Sequence, residues 1–300
     1  MNGIVYRVLD NGLRVVIAPN RTTPVVTVGV GYKVGSKDEP ADHTGMAHLF
    51  EHLMFDNIEV TDDKRFDSYV TQAGGESNAY TNYDHTYYHI SLPSESLEIA
   101  LWLEMQRMAE FVVPEQALRT QIDVVSEEIL QVVENRPYGT WERLLNSRAF
   151  REKTMYSWEI IGSHEHVRST TMDDARTWFS SRYNPDNAVI VLAGDVDPVC
   201  GAELVERYFG SISRRTATST GLRFSAENRN VGHARETQDV PFDACFLAYH
   251  CEGFLNDETM IADVLSAILS DGRSSRLYKA LQHDAPVSYT HLTLPTILLV

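Results

Sequence analysis

The chain has 300 residues, 43% hydrophobic and 23% charged, a globular composition that excludes a disordered tail, a collagen-like fibre or a long coiled coil. That length allows two domains, each large enough to bury its own apolar core. Twenty-six Lys and Arg stand against 42 Asp and Glu, a net charge of −16, so no broad basic surface is available for a phosphate backbone, nucleic acid is not an expected partner, and a cationic substrate is the easier one to attract.

Residues 4–35 read as strands: Val5, 14–18 and 25–34 are β-branched and alternating, broken by the turn Asp10-Asn11-Gly12. In 44–55, Met46, Ala47, Leu49, Phe50, Leu53 and Met54 recur at helical spacing. Alternation returns over 78–92, as one strand or a hairpin. Ser94 suits the cap of a helix to about 111, and Pro114 the first position of another to about 134, ended by Asn135-Arg136-Pro137-Tyr138-Gly139. Helices at 141–150 and 171–183, a strand at 188–193, a Gly194-Asp195 turn and a helix at 198–209 follow. The first domain, 1–213, closes there. Residues 214–235, at the end of a stretch rich in Ser, Thr, Arg and Asn, read as a linker. A second unit, 236–300, begins with a strand-like 246–249 and a helix-like 260–269. The final thirteen residues, 288–300, contain no Asp, Glu, Lys or Arg; they read as a tail foreign to the fold, with the second unit cut short near Val287.

No apolar run reaches the ~18 residues of a membrane span. Met1-Asn2-Gly3-Ile4 shows neither a basic n-region nor an apolar h-region, so the expected compartment is cytoplasmic for this sequence, or periplasmic if a leader has been lost. Cys200, Cys245 and Cys251 have no zinc-type or redox spacing and read as small buried hydrophobes.

The chemistry gathers at His48-Leu49-Phe50-Glu51-His52. On a helix, positions four apart share a face, so His48 and His52 aim two imidazoles at one point, as a tetrahedral Zn²⁺ site requires. Glu51 shares that general side and is free to hold a water rather than the ion. A catalytic zinc keeps three protein ligands and one open position. On the helix after Pro114, Leu118, Ile122, Val125, Ile129 and Val132 form the apolar stripe and Glu128 stands at its edge, where a carboxylate needs a partner. Glu128 is therefore the expected third ligand, with the more solvent-directed Glu127 as the fallback. Two other histidine pairs are set aside. His85 and His89, four apart on a strand, are over ~13 Å from each other, and His164-Glu165-His166 lies in a Gly-bounded polar turn of surface type.

The segment from Gly45 to Phe55 resembles the inverted zinc motif of the pitrilysin and mitochondrial-processing-peptidase family, the M16 inverzincins. Asn11-Gly12-Leu13, Gly74-Gly75 before Asn78-Ala79-Tyr80-Thr81, Val124 to Glu128, Asn135 to Gly139 and Tyr183 to Ala188 are similar to further family motifs in the same order. Asp271 to Tyr278 resembles the non-catalytic second half, and the smaller bacterial members are the nearest in pattern. The resemblance implies an α/β (α+β) metallopeptidase fold: a mixed, mainly antiparallel sheet packed with helices, in two related halves enclosing a chamber. It also favours Glu128 as third ligand, with one Zn²⁺ per chain. Many members carry an acidic residue one or two turns earlier, where this chain has Gln121.

These residues define the expected mechanism. Zn²⁺ on His48, His52 and Glu128 activates water and polarises a peptide carbonyl, while Glu51 shuttles the proton. Asn78, Ala79 and Tyr80 lie on the strand that the family uses to take an extended peptide as an added strand. Peptides are the expected substrates, and a homologous partner subunit or a homodimer is an arrangement the family uses. Two other readings compete: a non-catalytic scaffold or partner subunit, and a lyase of the S-ribosylhomocysteine type, whose third ligand is a cysteine.

Overall fold

The computed structural model describes residues 3–58, 65–215, 229–251, 253 and 256–284. The chain divides into two compact units, Met1–Phe246 and Leu247–Val300. Much of the expected linker, at 216–228, and the whole of 288–300 lie outside the described residues.

The first unit is built on six strands: β1 (Val5–Val8), β2 (Arg14–Pro19), β3 (Val25–Tyr32), β4 (Glu76–Thr81), β5 (Thr86–Pro93) and β6 (Ala188–Gly194). Their order across the sheet is β1-β2-β6-β3-β5-β4. Every neighbouring pair is antiparallel except β2 with β6, where Arg14 pairs with Val189 and Pro19 with Gly194. The sheet is thus mixed and mainly antiparallel, as the resemblance implied.

Alternation along the strands makes one face apolar and dry. Val26, Val28, Val30 and Tyr32 of β3, Tyr88, Ile90 and Leu92 of β5, and Ile190 and Leu192 of β6 are buried in one cluster. Helices cover that face. They include α1 (Met46–Leu53), α3 (Leu97–Ala109), α7 (Met172–Arg182) and α8 (Pro198–Phe209), which place Leu49, Phe50, Leu101, Phe179 and Val205 in the same cluster. Two of these helices start on side-chain caps: Thr171 with Asp174 forms a capping box on α7, and Asp197 accepts from the Val199 and Cys200 N–H groups of α8.

The C-terminal end of α1 is held from below. Tyr88 Oη donates to Phe50 O at 3.3 Å, and Arg107 Nε donates to Met54 O at 3.2 Å. Arg107 is fully buried, paired with Glu104 and placed over the rings of Tyr88, Phe66 and Phe55 at 4.2, 4.6 and 5.0 Å. The ion pair and the cation–π contacts are what make so buried a guanidinium tolerable.

Several expectations resolve differently. The 78–92 stretch takes the second of its two expected forms, a hairpin, because Asn82 Oδ1 accepts the N–H groups of Asp84 and His85 and turns the chain. His85 therefore sits in the turn rather than on a strand. A short helix α2 (Phe66–Gln72) precedes β4, and His164–Ser169 forms helix α6 rather than a polar turn. Residues 246–249 are not a strand. Cys200 and Cys245 are exposed and Cys251 is half-buried, not the buried hydrophobes expected. In the second unit the expected helix spans Asp257–Ser270 and is capped by Asn256. Among the described residues, no helix is long and apolar enough to cross a membrane.

Candidate metal centre

Two helices build the centre. The first is α1, whose apolar residues Met46, Leu49, Phe50 and Leu53 turn inward and leave His48, Glu51 and His52 on the outward side. The second is α4 (Glu115–Ile129), which buries Leu118, Val125 and Ile129 and continues as a π-helical turn, Leu130–Glu134. Glu128 sits at the edge of that stripe, one residue short of the π turn, a distortion that recurs at functional sites.

Glu128 Oε2 lies 3.6 Å from His52 Nε2, and Oε1 lies 3.9 Å from His48 Nε2. One ligand atom from each of the three lies within 4.8 Å of the others. Metal–ligand bonds of 2.0–2.2 Å in a tetrahedron put ligand atoms about 3.4 Å apart, so the residues present fit a zinc ion. Their side chains are 14%, 25% and 38% exposed for His48, His52 and Glu128, leaving one side open to solvent. Burial, then the neighbouring His52 charge, lowers His48 to about 4, against a smaller opposing pull from Glu51. His48 is thereby a neutral imidazole at neutral pH, the form a metal requires. Glu127 is exposed and takes no part in the cluster. No cysteine enters it among the described residues, and Gln121 instead donates to Asp56 Oδ2 at 2.8 Å.

A cleft of about 420 Å³ opens beside this trio, lined by His48, Glu51, Ala79, Glu128, Arg136 and Glu159 among others. Glu51 faces it directly. Ala79 and Tyr80 of β4 line it, and β4 is one of the two edge strands of the sheet. Asn78 is not part of the wall; its Oδ1 accepts the N–H of Ala79 at 2.8 Å.

Sequence reasoning passed over another part of the lining. Trp141 and Glu142 of α5 (Trp141–Ala149) line the cleft, as does Glu159. Tyr83 Oη donates to Glu142 Oε1, and Asn146 Nδ2 donates to Tyr83 Oη, both at 2.8 Å. Burial raises Glu159, against the Arg143 guanidinium at 2.8 Å. These residues carry no local motif; only the neighbouring Asn135 to Gly139 run pointed there. Of the histidines set aside, His85 bonds Tyr80 and Asn82, His89 stacks on Tyr87, and the half-buried His166 takes the Thr44 N–H on Nδ1.

Comparison with known proteins agrees with this architecture. Residues 14–160 match the family described as Insulinase (Peptidase family M16), and 169–290 match the one described as Peptidase M16 inactive domain. Zinc protease PqqE of Helicobacter pylori is 30% identical over 280 residues, 91% of this chain and 62% of that protein, so the chain spans less than two thirds of that relative. An uncharacterized zinc protease of Bacillus subtilis, YmxG, is 27% identical over 287 residues, 94% of this chain and 67% of that protein. The crystal structure of a protease from Helicobacter pylori superposes with a TM-score of 0.80 at 27% identity, covering 95% of this chain and 70% of that one. A peptidase M16 inactive domain from Pseudomonas fluorescens shares the fold at 14% identity and a TM-score of 0.75, over 96% of this chain and 69% of that one. With both family descriptions matched in order along one chain, and with relatives that bear the name zinc protease, this protein is a member of peptidase family M16.

Proposed function

We propose that the chain is a zinc-dependent endopeptidase that hydrolyses extended or unfolded peptides. The observation that carries this reading is the convergence of His48, His52 and Glu128 beside a cleft that Glu51 faces. The three would hold one Zn²⁺ per chain. When bound, zinc lowers the pKa of a coordinated water towards ~7 and polarises the scissile carbonyl. Glu51 takes the proton of the attacking water as the new C–O bond forms, and delivers it to the leaving amine as the amide C–N bond then breaks. The outer edge of β4 accepts the peptide as a further strand, with the outward backbone N–H and C=O of Ala79 fixing its register once the N–H is released from Asn78 Oδ1. The net charge of −16 favours peptides carrying basic side chains. The same reading includes a homologous partner subunit or a homodimer.

The test is digestion of a peptide library with and without a chelator, alongside metal analysis of Glu128→Gln and Cys200→Ala. Chelator-sensitive internal cleavage, with zinc lost from Glu128→Gln and kept in Cys200→Ala, supports the peptidase. Zinc uptake without cleavage would instead mark a non-catalytic partner subunit, and zinc loss from Cys200→Ala the lyase-type ligand set.

A further inference from the structure

Helix α1 has no cap of its own. It starts at Gly45, in the left-handed conformation with φ 94°, and no side chain of the N-cap residue accepts its first N–H groups. An eight-residue helix is marginal by itself, and its leading N–H groups need acceptors. They find them in Glu39, fully buried six residues upstream. Its Oε2 accepts the Gly45 N–H at 3.0 Å and its Oε1 the Ala47 N–H at 2.8 Å. Ala47 is the residue immediately before His48.

A third donor reaches the same carboxyl. Trp158 Nε1 lies 3.1 Å from Glu39 Oε2 and 3.1 Å from Ser36 O. Trp158 belongs to the segment that carries Glu159, Ile160 and Ile161 into the cleft wall. That segment then packs backbone on backbone against the start of α1: a Cβ on Gly162 would meet Gly45 Cα at 2.3 Å and Gly45 N at 2.4 Å. One side chain therefore touches both the helix that bears the histidines and the wall that faces them.

We propose that Glu39 is a positioning residue for the metal centre, clamping the first turn of α1 to the Trp158 segment so that His48 and His52 are presented at the spacing a shared ion needs. The inference rests on the metallopeptidase reading above. When ionised, both carboxyl oxygens take N–H donors, so a glutamine of the same shape sets an amide NH₂ against a donor on one side, and the comparison is made above about pH 8, where the carboxyl has given up its proton. Glu39→Gln is thus a sharper probe than a deletion. Trp158→Phe removes only the third donor.

Two readouts are taken on the full chain, each variant first checked for native circular dichroism. In the metal-free protein, hydrogen exchange at the Gly45 and Ala47 amides is expected to quicken in Glu39→Gln, with a smaller effect in Trp158→Phe. With metal, the zinc dissociation constant is expected to rise about tenfold or more in Glu39→Gln, and the visible absorption of the cobalt-substituted protein to change. Exchange or zinc affinity equal to wild type in Glu39→Gln would overturn the proposal. A wild type that binds zinc but cleaves no peptide would overturn the peptidase reading while leaving the clamp standing. A wild type that binds no zinc would overturn both.

Discussion

Glu51 and His48 lie on the same turn of one short helix, yet substitutions at the two separate cleanly. Glu51→Gln is expected to keep zinc at wild-type stoichiometry and lose turnover by about 10²-fold or more, whereas His48→Ala loses the metal itself. Elemental analysis beside a peptide assay checks both, and equal zinc loss in the two variants would mean that Glu51 is a ligand rather than the base. At Glu39, burial pushes the carboxyl up to about 8, against the pull of the Ala47, Gly45 and Trp158 donors. A group whose folded pKa is raised binds more protons folded than unfolded, so it subtracts stability as pH climbs from its ordinary range, near 4.5, to about 8. The difference in unfolding free energy between wild type and Glu39→Gln should therefore shift against the wild type across that window and flatten above it, as urea titrations at stepped pH would show. A difference independent of pH would mean that the carboxyl titrates alike in both states.

The elements around the site make further demands. Arg107 on α3 and the carbonyl of Met54 lock the end of α1, and Arg107→Ala would leave the Glu104 carboxylate buried without its cation. A loss of about 3–5 kcal/mol in chemical denaturation is expected, and the double change Glu104→Leu with Arg107→Met should recover much of it. On β4, an edge strand, Ala79→Pro removes an outward N–H that Asn78 Oδ1 holds in the free chain, at a position where proline is tolerated. It should leave the fold intact and raise KM with little change in kcat, because the added strand loses a backbone bond. The elements legible in the sequence were those whose pattern runs for several turns or a full strand. Met46 to Leu53, the stripe of α4 and the β-branched runs of β2, β3 and β6 declare their faces locally, and with them the His48, His52 and Glu128 trio. Short pieces were not legible. α2 and α6 have too few residues to show a period, and α6 is fixed by the Ser163 cap and by the contact of His166 with Thr44. Glu39 gives no local signal, because its partners arrive from 45–47 and from residue 158.

At the level of the molecule, a site whose ligands converge only in the folded chain couples an ion bound there to folding. Zinc at about 100 times its dissociation constant should stabilise the first unit by ~2.7 kcal/mol, raising its melting temperature in a concentration-dependent way that Glu128→Gln abolishes. The fold alone does not decide activity, since the inactive domain from Pseudomonas fluorescens shares it. The sheet order adds a constraint of timing. β6 stands between β2 and β3, although both are synthesised long before it, and Tyr32, paired on one side with Thr86, meets its partner on the other only when Ala188 has been made. A growing polypeptide still on the ribosome therefore holds two early ribbons with a gap between them, exposed to wrong partners until that last insertion. Such long-range closure is slow, so chaperone dependence during biosynthesis should end abruptly once the chain has emerged past Gly194, a step that arrested nascent chains of graded length would expose.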